Sequence, residues 1–212
     1  MSSAPVPITF KQVNYSTPQT NQSTVSTAYS SAQLAGDTNI IAIGWSSATG
    51  TISSVTDTAG NTYSPAVPLT RGGGNLSQAI YYAKNIVAAP AGNSVKVTFS
   101  GAMVYVDVRI TEYSGLDPTN PLDVSSSSSG STNSATSGSI TTTAANELLF
   151  GAGTTWGLYG NATNGFTTRV ITQPNYDIVA DRIVSTVGSY AATAPVSGGG
   201  TWPMQVVAFK GA

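Results

Sequence analysis

The 212-residue sequence contains neither cysteine nor histidine, and its formal charges are few: eight basic and nine acidic side chains, net −1. Without histidine or cysteine there is no Ser-His-Asp triad, no Cys-His pair, no disulfide framework and no zinc site of the usual kind. Four Lys and four Arg spread along the chain leave no basic stripe, so nucleic acid is not an expected partner. No apolar run approaches the ~18 residues of a membrane span, and membrane insertion is not expected either. The opening Met1-Ser2-Ser3-Ala4-Pro5 has no basic region followed by an apolar stretch, as a chain would read after removal of an export signal. Residues 1–7 are therefore expected to form an N-terminal tail.

Hydroxyls take the place of charge. The chain has 28 Ser and 29 Thr, with 22 Gly, while 40% of residues are hydrophobic, which is ample for a core. Disorder requires low hydrophobicity together with high net charge, and neither holds. The apolar period is two. Val95, Val97 and Phe99 alternate with Ser94, Lys96 and Thr98, and Val104, Val106, Val108 and Ile110 alternate with Tyr105, Asp107, Arg109 and Thr111. Ile40–Ile43 and Leu148–Phe150 are short continuous apolar runs, as in strands covered on both faces. Turn clusters such as Ala59-Gly60-Asn61, Gly72-Gly73-Gly74-Asn75 and Gly198-Gly199-Gly200 punctuate them. The only helix-like windows, near 28–34 and 143–149, are short. The pattern predicts an all-β sandwich or jelly roll of 12 to 15 short strands.

The two halves of the chain match each other. Leu34–Gly44 reads like Thr143–Gly153, and Ile110–Gly115 like Val206–Gly211. We expect one domain over residues 8–212, made of two similar, intertwined halves of about 8–116 and 117–212. The Ser-rich stretch Ser125–Ser131 falls between them, either a linker or an edge strand.

The strings Ser54–Tyr63, Ile80–Ile86, Glu112–Leu116, Thr141–Leu149 and Asp177–Arg182 resemble a repeated β-sandwich domain of large secreted multi-domain bacterial proteins. That domain often stands beside fibronectin-type or immunoglobulin-like modules, and the resemblance runs from about Ile8 to Phe209. It implies an extracellular or cell-surface location and neighbouring domains in a larger chain, and it carries no catalytic residues with it.

Three constellations could carry chemistry. Glu112 and Asp181 share parity with apolar strand neighbours, so each is expected to turn inward. Such acids serve either as a general acid/base pair or as salt-bridged structural groups, with Arg109, Arg169 and Arg182 as partners. Asp57 and Asn61 flank one tight turn and offer oxygen ligands for calcium or, alternatively, the hydrogen bonds of an Asx turn. Trp156, Tyr159 and Asn161 lie in a Gly/Asn-rich loop after a core strand, with Trp45 at the matching place in the first half and Trp202 after three glycines. Aromatics there either stack on sugar rings or plug the ends of the sandwich. The expected function is a non-catalytic carbohydrate-binding or adhesive module with neutral glycans as partners. The alternatives are a structural spacer or assembly domain, and a polysaccharide-acting hydrolase.

Overall fold

The structure is a computed structural model and describes residues 6–212. Of the expected tail, 1–5 lie outside the described residues, while Val6 and Pro7 are exposed. The first half contributes β1 (Thr9–Ser16), β2 (Gln22–Ala28), β3 (Thr38–Ser46), β4 (Ile52–Asp57), β5 (Ser64–Pro65), β6 (Thr70–Arg71), β7 (Leu76–Ala83) and β8 (Ser94–Ser114). The second contributes β9 (Leu122–Gly130), β10 (Ser134–Thr136), β11 (Ile140–Thr141), β12 (Glu147–Gly153), β13 (Leu158–Tyr159), β14 (Thr167–Ile171), β15 (Ile178–Val184), β16 (Ser189–Tyr190), β17 (Thr193–Ser197) and β18 (Trp202–Lys210). The protein is an all-β sandwich. Its strands exceed the expected number because five of them are two residues long. The windows at 28–34 and 143–149 hold bends and strand ends rather than helix. No helix among the described residues is long and apolar enough to cross a membrane.

Both halves follow one plan. The first builds a large antiparallel sheet in the order β1-β8-β3-β7-β5, the second in the order β9-β18-β12-β15-β14. In each, the first long strand of the half lies beside its last. Each half adds a small sheet: β2 and β4 flank the start of β8, and β10 and β13 flank β17. Strand β8 serves both sheets without a break, whereas Gly198-Gly199-Gly200 divides the same path into β17 and β18.

Four layers result. Ile41, Ile43, Trp45, Val97 and Val108 fill the gap between the sheets of the first half, and Leu149, Ile178, Ala180, Val196 and Val206 that of the second. The alternate residues of the central strands point the other way. Ile40 and Ala42 meet Phe150, Ala152, Val179 and Phe209 in a middle core where the two large sheets pack face to face. This is why the Ile40–Ile43 and Leu148–Phe150 runs are apolar throughout. Among the described residues each large sheet keeps to strands of its own half, so the halves are not interlaced strand by strand and meet in this shared middle core.

The matched strings need one adjustment. Alignment of the apolar runs sets Ile40 against Leu149, but Ile40 pairs with Thr111 and Phe150 with Val207, two residues before Tyr113 and Phe209. Ile40 therefore corresponds to Phe150. A slip of one residue exchanges the faces of a strand, and here the middle core decides the register. Ser125–Ser131 is not a linker: Ser125–Ser129 lie in β9, paired with Pro203–Val207. Since its backbone is held in a sheet, we expect limited digestion with proteinase K to leave this segment intact; two separately stable fragments cut there would show two independent domains.

Candidate functional site

A cleft of about 330 Å³ opens at one end of the seam between the halves. Gln19, Leu76 and Tyr105 of the first half face Thr154–Leu158 and Pro174–Asp177 of the second. Trp156 forms its rim, 43% exposed, with Tyr105 (45%) and Leu158 (43%) beside it. The Trp156 and Tyr105 rings meet edge to face, centroids 5.3 Å apart and planes at 86°. The loop is fixed from both sides: the Trp156 indole N–H donates to the Gly74 carbonyl at 2.9 Å, and its amide to the Thr201 carbonyl at 3.1 Å. Gly74 has φ +63°, and a Cβ there would stand 2.6 Å from the indole nitrogen, so this turn needs glycine. Across the cleft, Gln19 Nε2 donates to Asn175 Oδ1 at 2.8 Å, and the Thr17 hydroxyl to the Gln173 carbonyl at 2.7 Å, tying the halves together.

Asp177 closes the floor. Its Oδ1 accepts the Thr155 amide at 2.9 Å and its Oδ2 lies 3.8 Å from Arg109. Behind it, wholly buried, Arg109 Nε stands 3.1 Å from Asp107 Oδ1, and Arg109 Nη1 donates to the carbonyls of Gly153 and Ile178, both at 2.8 Å. Burial, then the charge of Asp107, pushes the Asp177 carboxyl well above the usual range against the pull of Arg109. Burial likewise raises Asp107, opposed by Arg109 and by the Thr172 hydroxyl. The alternation of β8 reads Asp107 and Arg109 as a solvent face; the second large sheet covers that face, which makes them the floor of the seam instead.

Several expected site residues lie elsewhere. Trp45 is fully buried in the first-half core, edge to face with Phe99 at 5.5 Å, and is not available to a ligand. Tyr159 is packed into the second-half core at 3% exposure, and Trp202 lies against Gly130 with its indole N–H donated to the Thr132 carbonyl. These rings plug the sandwich. Asn161 is exposed but lies outside the cleft. Of the expected aromatic cluster, only Trp156 stands at the site, and its neighbours are Tyr105, Tyr176 and Asn175 from distant segments.

Glu112 and Asp181 both turn inward, at 1% and 3% exposure, but on opposite sides of the first large sheet. Asp181 accepts the Tyr113 hydroxyl at 2.7 Å and Arg169 Nε at 2.8 Å in the middle layer. Glu112, the next residue along the strand, points the other way to Gln12 and Asp37. They cannot act on one bond as an acid/base pair, and Asp181 is the salt-bridged structural acid. Burial, then the hydrogen bond and charge of Glu112, raises Asp37 to about 6. In the second half, burial and then Asp123 raise Glu147 to about 7.

The Asp57 turn is fully committed. Its carboxylate accepts the amide of Asn61 at 2.9 Å, the Asn61 side chain at 2.8 Å, the Tyr63 hydroxyl at 3.0 Å and Asn93 at 3.2 Å. Asn61 Oδ1 accepts the Val87 amide. These oxygens accept N–H and O–H donors, the arrangement of an Asx turn. Among the described residues no three His, Cys, Asp or Glu side chains are grouped to hold a metal ion.

No protein-family model and no curated protein matches the chain. Among solved structures, one described as the PBSX exported protein XepA aligns over 93% of this chain and 86% of its own, at 9% identity and a TM-score of 0.19.

Proposed function

We propose that the protein is a non-catalytic extracellular module that binds neutral glycans in the seam cleft. The observation that carries this reading is Trp156: a large ring, 43% exposed, held by a backbone hydrogen bond at the mouth of a cleft with amides and hydroxyls on its walls. Sugars need flat apolar faces and neutral donors and acceptors, and this cleft offers both. The hydroxyl-rich, weakly charged surface suits a secreted protein, as does the resemblance to secreted multi-domain chains. A hydrolase is disfavoured because Asp177 is walled off in an ion network and Glu112 and Asp181 face apart. A structural or assembly role is the second reading. It is favoured by β9, the edge of its large sheet, which carries serines from Ser125 to Ser129 and neither charge nor proline there to discourage pairing.

Isothermal titration against cellotriose, xylotriose, mannotriose and maltotriose separates the two. Binding to at least one is expected with a Kd on the order of 10–1000 μM, since an open cleft buries little area. Trp156→Ala is expected to weaken it at least about tenfold, or about 1.4 kcal/mol. Added EDTA and raised salt are expected to change it little. No binding to any neutral oligosaccharide would leave the assembly reading standing; binding abolished by EDTA would restore a calcium site.

A further inference from the structure

Six non-glycine residues adopt positive φ among the described residues, and four are asparagines: Asn75, Asn85, Asn146 and Asn164. Asparagine tolerates the left-handed region because its short amide can bond to the local backbone. The other two are tyrosines, Tyr105 at φ 51° and Tyr176 at φ 59°. A bulky ring has no local reason to occupy that region, and such strain persists only where the surrounding structure imposes it. The two tyrosines belong to different halves and lie far apart in sequence, yet both line the cleft beside Trp156.

At Tyr105 the ladder shows how the conformation arises. Gly44 pairs with Asp107 and Ser46 with Val104, so Trp45 alone stands opposite Tyr105 and Val106. The extra residue makes a β-bulge in β8, a device that re-aims a side chain and whose left-handed position is most easily filled by glycine. Tyr105 is 45% exposed, so its ring does not serve the core. At Tyr176 the amide donates to the Thr172 carbonyl, and the Thr172 amide to the Asp177 carbonyl, closing a tight turn. Glycine or asparagine would fit its left-handed residue with least strain.

The geometry points to Tyr105 and Tyr176 as ligand-contacting residues that, together with Trp156, clamp one ring of a neutral saccharide; this assignment rests on the carbohydrate-binding reading above. Strain kept at a binding site implies a trade of stability against function. A residue that accepts the left-handed backbone should stabilise the chain and empty the site of its ring.

The test uses the full chain with Tyr105→Asn, Tyr176→Asn and Tyr105→Phe, followed by thermal melting and by titration with the same four trioses. Each Asn variant is expected to raise the melting temperature by roughly 2 °C or more while weakening binding at least tenfold. Tyr105→Phe keeps both ring and strain, so its melting temperature stays within about 1 °C of the parent and it retains binding. An Asn variant that melts lower and binds as before would make the tyrosines structural and overturn the assignment. If Trp156→Ala abolishes binding while both Asn variants retain it, the cleft remains the site but the tyrosines are removed from it. Absence of binding by the unaltered protein removes both the reading and the clamp.

Discussion

Replacing Arg109 with methionine is expected to cost about 3–5 kcal/mol in urea unfolding, because a buried ion pair broken on one side leaves its partner uncompensated. Arg109 is fully buried, touches two carboxyls, and satisfies the carbonyls of Gly153 and Ile178. It joins β8 of one half to β12 and β15 of the other, so its loss is expected to loosen the seam and distort the cleft floor at Asp177. The combined variant Arg109→Met, Asp107→Asn, Asp177→Asn removes the charges together and is expected to recover a large part of the loss. A single variant that loses less than about 1 kcal/mol would contradict a seam held by this network.

The second large effect is in pH. Most proteins lose stability on acidification as paired carboxylates are protonated. This chain has no histidine, and Asp37, Asp107, Glu147 and Asp177 all have raised values in the fold. An acid with a raised folded value binds more protons folded than unfolded, so its contribution is full below the unfolded value and falls as pH rises to the folded one. For Glu147 that window runs from its ordinary 4.5 to about 7. Discounted for screening by solvent, the loss across it is about 1–2 kcal/mol, or a fall in melting temperature of roughly 2–8 °C between pH 4.5 and 7.5. Glu147→Gln keeps an acceptor for the Ala144 amide and is expected to flatten the slope and raise the melting temperature at pH 7.5. A chain whose stability climbs across this range, with Glu147→Gln no different from the parent, would refute the account of these buried acids.

The strands and their doubling were legible in the sequence because they depend on local pattern. The run Ile40–Ile43 can be apolar throughout only if both faces are covered, and the Gly115 and Gly211 ends mark equivalent strand exits. The one-residue slip between the halves was not legible, since only packing against the facing sheet distinguishes Ile40's face from Ile41's. The same blindness hid Asp107 and Arg109, whose alternation with Val106 and Val108 is that of a solvent face. Trp45 and Tyr159 follow the same rule: their place after a core strand says nothing about which ring is drawn into the core. The cleft joins Gln19, Tyr105, Trp156 and Tyr176 across long separations, and no spacing announces it. The left-handed backbone at two tyrosines leaves no mark in composition at all.

The three tryptophan indole N–H signals of the ¹⁵N-labelled chain, followed by NMR while the best-binding triose is added, report directly on where a sugar sits. Trp45 and Trp202 are buried at 0% and 3% exposure, whereas Trp156 stands at the cleft rim at 43%. The Trp156 signal, assigned by its loss in Trp156→Ala, is expected to shift and saturate with the ligand while the other two stay in place. Movement of the buried indoles without Trp156, or no movement of any signal at millimolar sugar, would contradict a glycan site in the cleft.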